Sequence, residues 1–248
     1  MMKENRAFFK GAKDGIPIAL GYLAVSFGFG LMAVQMGVDP LSTVLISMTN
    51  LTSAGQVAGV GIIAAMGSLA EMALTQFVIN LRYALMSISL SQKLEPGFKL
   101  LDRFIVSFGI TDEIFAVASS RPAKITARYM YGLILIPFLG WTGGTVLGVV
   151  CGAVLPEIVK NALGIAIYGM FLAIIIPPSR TSRGILLATL SAIAIRCILT
   201  YIPVFSSISA GFAIIICGVL ASGLAALFFP VQDMSEERSE ETEEGKIL

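Results

Sequence analysis

An all-α, polytopic transmembrane helical bundle is what this sequence predicts, and three observations predict it. The 248 residues are 56% hydrophobic and 13% charged, against about 25% charged in ordinary soluble domains. Mean hydropathy is +0.87. About seven to eight apolar segments follow one another, several of them near 20 residues long, the length a helix needs to cross a bilayer.

The segments fall at roughly 16–36, 41–66, 69–90, 104–119, 129–153, 161–176, 184–202 and 208–229. Gly37-Val38-Asp39-Pro40 closes the first, Glu95-Pro96-Gly97 the third and Pro177-Pro178-Ser179-Arg180 the sixth. Lys3, Arg6, Lys10 and Lys13 precede the first, whose apolar run is too long for a cleaved signal. The second carries a polar insertion, Asn50 to Gln56, with Gly55, Gly59 and Gly61 beside it. A helix broken there would turn its open backbone groups toward a cavity rather than lipid. The fourth holds Asp112-Glu113, is short for a span, and is expected to be re-entrant. The sixth is also short and is expected to end at its proline pair. Short or interrupted segments are where transporter sites are found.

Loop charge sets the expected topology. Eight crossings place both termini in the cytoplasm, with 120–128 and 177–183 inside and the Lys/Arg-free loops 37–40 and 203–207 outside. One conflict remains. Loop 91–103 would then lie outside, although it carries Lys93, Lys99 and Arg103. It moves inside if 69–90 and 104–119 do not both cross. Residues 1–230 are expected to form a single transmembrane domain. Residues 231–248 hold seven of the sixteen acids and two of the seventeen bases, and read as a disordered acidic tail. A gapless match between 28–40 and 144–156 leaves an internal repeat open.

The chemistry is bounded by what the chain lacks. It has no histidine, so the usual near-neutral proton shuttle is missing and proton chemistry falls to carboxylates. Its three cysteines sit in apolar runs without a CxxC pair. No phosphate-binding loop, nucleophile elbow or zinc motif occurs, so neither an enzyme, a metal or cofactor site, nor nucleic-acid binding is expected.

Polar groups inside apolar segments are the functional candidates. Asn50, Thr52, Ser53, Gly55 and Gln56 are expected to meet substrate, because a helix restarting there offers free N–H groups to a carboxylate. Close helix–helix packing would use the same small residues. On 69–90, Glu71, Thr75, Arg82 and Ser89 fall within about 40° on a helical wheel. Gln76, Asn80, Tyr83 and Ser87 form a second stripe. Asn80, Arg82 and Tyr83 join the substrate candidates, with interhelical hydrogen bonding as the alternative. Asp112, Glu113, Glu71 and Arg196 are the candidates for ion coupling, with Arg82 or Arg196 as the cation that balances an acid.

Four stretches, GIPIALGYLAVSFGFGLMA (15–33), TSAGQ (52–56), NLRYALMSISLS (80–91) and GITDEIFAVA (109–118), together resemble the AzlC family of branched-chain amino-acid permeases. Trp141, Gly143-Gly144 and Gly148 fit that family more loosely. The resemblance implies a multi-pass carrier of the cytoplasmic membrane that exports branched-chain amino acids and analogues, methionine among them. It also implies a small, separately encoded AzlD-type membrane subunit as partner. The family often has histidine where this chain has Tyr83, so no titrating group is carried over to that position. A small-solute channel and a non-transporting subunit of a transport complex are the rival readings.

Overall fold

The computed structural model describes residues 2–159, 166–205 and 207–230, and the expected acidic tail lies outside them. Ten α-helices occur among the described residues, and the fold is an all-α membrane bundle. They are α1 (Met2–Gln35), α2 (Pro40–Thr49), α3 (Ser53–Ala64), α4 (Leu69–Ser91), α5 (Leu100–Phe108), α6 (Asp112–Ser119), α7 (Ala127–Val154), α8 (Ala166–Thr181), α9 (Arg183–Tyr201) and α10 (Ala210–Phe228). Five of them, α1, α4, α7, α9 and α10, are long and apolar enough to cross a membrane. Two compact units are present. One runs to Ala173 and takes in Ser209–Ile215; the other comprises Ile174–Ile208 and the chain from Ile216.

In the first unit α1 and α7 pack side by side in the same direction. Gly11 meets the Tyr129 carbonyl, Gly15 meets Leu133, Gly140 meets Ala19, Gly144 meets Leu23 and Gly148 meets Phe27. Residue numbers rise together along both helices, so the pairing is parallel. Small residues let the backbones touch, which is how helices associate where lipid removes the hydrophobic drive.

The second segment is broken where the sequence interrupts it. α2 starts from an Asp39 cap that accepts the Ser42 N–H at 2.9 Å, with Pro40 in the first turn. It stops at Asn50, which is extended (φ −143°, ψ 109°). The Asn50 side chain accepts the Thr52 N–H at 3.1 Å and the Thr52 hydroxyl at 2.7 Å, fixing the turn locally. α3 then turns back. Val60 packs with Phe29, Met32, Ala33 and Val38, at the end of α1 where α2 began. Leu51, at the break, packs instead in the central core with Ile18, Tyr22 and Trp141. Segment 41–66 is therefore a re-entrant hairpin, with arms of 10 and 12 residues, or about 15 and 18 Å at 1.5 Å per residue.

The fourth segment is a second hairpin, entering from the opposite end. It is longer than 104–119, because α5 begins at Leu100, and it is broken at Gly109–Thr111. The chain before it lies against the chain after it. Glu95 N–H donates to the Ile125 carbonyl at 3.0 Å and Ile125 N–H to the Lys93 carbonyl at 2.9 Å. The Lys93 ammonium also reaches the Ser119 and Arg121 carbonyls. Entry and exit thus share one end of the bundle, together with the starts of α1 and α7.

This arrangement corrects the eight-crossing expectation and resolves its conflict. Loop 91–103 lies at the same end as 120–128, because the Glu95–Ile125 and Ile125–Lys93 backbone bonds join the two. That end gathers Lys93, Lys99, Arg121 and Lys124, whereas the turns at 36–39 and 65–68 carry only Asp39. After replacement of the native cysteines, Gly97→Cys and Lys124→Cys should react with an impermeant thiol reagent from the same face of the membrane. Labelling from opposite faces would refute the hairpin.

The sixth segment also departs from expectation. α8 does not end at Pro177 and Pro178 but runs through them to Thr181. Two prolines leave two carbonyls one turn earlier without N–H partners. The Ser179 hydroxyl donates to the next carbonyl, Ile175, at 2.8 Å. The Ser182 hydroxyl then caps α9. The two units divide between Ala173 and Ile174, at the carbonyls the prolines leave open. In the second unit Gly184, at the start of α9, lies against Phe229, just after α10.

Candidate functional site

The two hairpin tips meet the middle of the long helices at one depth. α4 acts as the ruler. A Cβ on Gly55 of α3 would approach the Asn80 oxygen at 3.4 Å, while Arg82 pairs with Asp112 of α6 at 2.5 Å. Two residues of helix separate Asn80 from Arg82, about 3 Å along the axis.

At the first tip, the earliest i→i−4 bond of α3 is Gln56 N–H to the Thr52 carbonyl at 2.8 Å. The N–H groups of Ser53, Ala54 and Gly55 therefore precede the helical ladder and have no partner among the described residues. Thr52 does not cap them, since its hydroxyl is turned to Asn50. Open N–H groups at a helix start carry partial positive charge. Gln56 is 1% exposed. Its amide donates to the Ser47 hydroxyl at 3.1 Å, and Ser47 bonds Thr145 of α7 at 2.6 Å. Gln76 donates to the Gly55 carbonyl at 2.7 Å and accepts from Asn80 at 3.1 Å. Here the interhelical bonding that the sequence left as an alternative is present.

At the second tip, Thr111 caps α6 by accepting the Ile114 N–H, which places Asp112 and Glu113 in the first turn, where the dipole favours anions. The Tyr22 hydroxyl lies 2.6 Å from Thr111 Oγ1 and 2.5 Å from Glu113 Oε2. Its one proton serves the Glu113 carboxylate when Thr111 donates to Tyr22. Arg82 also donates to the Tyr83 hydroxyl at 2.8 Å, and its guanidinium lies 4.7 Å from the Tyr83 ring centroid. Tyr22 meets Trp141 edge to face at 5.1 Å.

Three buried polar atoms around these tips have no partner among the described residues: Gln56 Oε1, Asn80 Oδ1 and Trp141 Nε1. Buried polar groups are normally paired, so a cluster of open ones marks a place where a polar ligand or water would be held.

The structure thus gathers Asn50, Thr52, Ser53, Gly55, Gln56, Asn80, Arg82, Tyr83, Asp112 and Glu113 around the two breaks. One coupling candidate falls elsewhere in the first unit, and another belongs to the second unit. Glu71 shares the wheel face of Arg82 but stands eleven residues away, about 16 Å along α4. It accepts the Ser209 hydroxyl at 2.5 Å and the Gly211 N–H at 2.9 Å, capping the start of α10. Arg196 lies on α9 in the second unit with its side chain exposed; the cation expected for Asp112 is supplied by Arg82. Tyr22, Ser47 and Thr145 were not singled out from sequence. A lone tyrosine or hydroxyl in an apolar helix has no pattern of its own, and only the tertiary contacts give these residues a role.

Comparison with known proteins covers both hairpins with the family model and most of the chain with individual relatives. The family model described as AzlC protein matches residues 17–155, which include both hairpins. The chain is 28% identical over 231 residues to the inner membrane protein YgaZ of Escherichia coli, covering 90% of this chain and 93% of that protein. It is 32% identical over 178 residues to an uncharacterized membrane protein of Archaeoglobus fulgidus, covering 71% and 78% respectively. An uncharacterized membrane protein of Helicobacter pylori is 25% identical over 161 residues, 59% of this chain and 66% of that protein. No solved structure matches. With more than half its length matched by the family model, including both re-entrant breaks and the α4 residues between them, this membrane protein belongs to the AzlC family.

Proposed function

We propose that this chain is a secondary carrier that exports branched-chain amino acids across the cytoplasmic membrane by alternating access. The observation that carries the reading is the meeting of two polar hairpin tips, inserted from opposite ends, at mid-depth beside α4. Such a site faces either side when one hairpin or the other gives way. The open N–H groups of Ser53, Ala54 and Gly55, with Gln56, suit the substrate carboxylate. Glu113, which has no cationic partner among the described residues, suits its ammonium. Leu51, Ile110 and Ile114, at or beside the two breaks, belong to one buried apolar cluster that suits the substrate side chain. Asp112 or Glu113 couples an ion, with Arg82 balancing the charge. The basic end of the bundle faces the cytoplasm, and an AzlD-type subunit completes the transporter, as the family resemblance implies.

Counterflow of labelled leucine into proteoliposomes, with and without the small subunit, tests this. Saturable counterflow is expected, competed by isoleucine, valine and methionine. Gln56→Ala should lower it about tenfold or more, the equivalent of roughly 1.4 kcal/mol. Solute flux without saturation would favour a channel. Absence of counterflow for every branched-chain amino acid under both conditions would overturn the proposal.

A further inference from the structure

A groove of about 260 Å³ runs beside the second hairpin, between the end of α4 and α5. Its floor is apolar and buried: Leu90, Phe98, Val106 and Ile110 are each 8% exposed or less. Its rim is open, with Ile88 62% exposed. The neighbouring face of α5 presents Phe104 and Phe108 outward, so the mouth opens on apolar perimeter. One charged residue lines the groove, Arg103. Its side chain is exposed and has no ion-pair partner among the described residues. The adjacent acid, Asp102, is occupied by the Tyr131 hydroxyl of α7 and by the Lys99 N–H at 2.8 Å. No acid lines the groove among the described residues.

This pattern selects among occupants. A zwitterion such as leucine could place its carboxylate on Arg103, but its ammonium would find no anion. The same holds for the ammonium of a zwitterionic headgroup. An anionic amphiphile leaves nothing unpaired. A guanidinium recognises phosphate through two parallel N–H bonds, and basic pockets beside membrane helices hold anionic headgroups. The hydroxyls add detail. Ser91 and Ser107 spend their protons on the Ile88 and Phe104 carbonyls of their own helices, at 2.6 and 2.9 Å. Ser87, one turn deeper, has no partner among the described residues and can donate to an ester carbonyl.

We propose that this groove binds one anionic phospholipid, its phosphate on Arg103 and one acyl chain along Leu90, Val106 and Ile110. The lipid would brace α5 against α4, on the outer flank of the hairpin that carries Asp112 and Glu113. The inference does not depend on what is transported.

The test is native mass spectrometry of the full-length protein exchanged into phosphatidylglycerol or phosphatidylcholine of identical acyl chains. One tightly held phosphatidylglycerol is expected, favoured over phosphatidylcholine by about tenfold or more, as a charge-assisted phosphate contact should give. Arg103→Gln should remove that preference and Arg103→Lys should keep part of it. Ser87→Trp, which fills the groove with Arg103 intact, should lower retention of the lipid. Equal retention of both lipids by the wild type, an undiminished preference in Arg103→Gln, or displacement of the lipid by free leucine would each overturn the proposal.

Discussion

Exchanging Arg82 for glutamine is expected to lower leucine counterflow by about a hundredfold or more, a loss of roughly 2.7 kcal/mol or greater. The guanidinium stands 2.5 Å from Asp112 and also bonds Tyr83. Removing it leaves a carboxylate at the hairpin tip, beside the middle of α4, without its counter-ion. The acid must then take up a proton or draw in water, and either event disturbs the tip. Both side chains retain about two fifths of their exposure, so the cost to folding is small, on the order of 1 kcal/mol after solvent screening. The larger effect is on transport, where the pair must separate or re-form as access alternates. Asp112→Asn alone should impair counterflow, and the double variant should be less impaired than the two single losses combined, because the second change removes a charge the first had stranded. Strict additivity would mean that the pair is incidental to transport. Unchanged dependence on an imposed pH gradient in both Asp112→Asn and Glu113→Gln would remove protons from the mechanism.

Much of this site was legible in the sequence because membranes make polar residues conspicuous. The break at 50–52 was marked by Asn50, Thr52 and Ser53 within an apolar run, and lipid leaves such a stretch few conformations. For the second segment the direction of the chain after its break was not legible, whereas the shortness of the fourth already pointed to re-entry. A broken span and a re-entrant hairpin share one local pattern, two short apolar helices around a polar interruption. What decides between them is where the second arm packs: Val60 returns to Phe29 and Ala33, and Ser119 returns to Lys93. A further sequence sign was electrostatic, the excess of lysine and arginine in 91–103. Face and height also separated. The helical wheel placed Glu71 on the same face as Arg82, but a wheel discards translation, and Glu71 caps α10 instead. Pro177 and Pro178 read as a stop, whereas α8 continues through them.

Adjacent glycines of α7 are expected to respond to alanine with opposite signs, and the difference locates what holds the tips in line. Gly144→Ala places a methyl group against the Ser26 side chain and the Leu23 carbonyl of α1. Backbone cannot yield as a flexible side chain can, so the helices must part. Overpacking of this kind costs about 1–3 kcal/mol. Gly143 faces open space, with nothing within 4 Å of an added Cβ. There alanine only removes backbone freedom and should stabilise by roughly 0.5–1 kcal/mol. Thermal unfolding in detergent should therefore move down for Gly144→Ala and slightly up for Gly143→Ala. Transport should follow the same order for a geometric reason. One turn of α7 carries Trp141, which packs on Tyr22, and Thr145, which bonds Ser47. Tyr22 in turn bonds Thr111 and Glu113 at the second tip, and Ser47 bonds Gln56 at the first. Parting α1 from α7 at Gly144 thus displaces both tips at once. Equal responses at the two glycines would mean that the tips keep their positions independently of this seam.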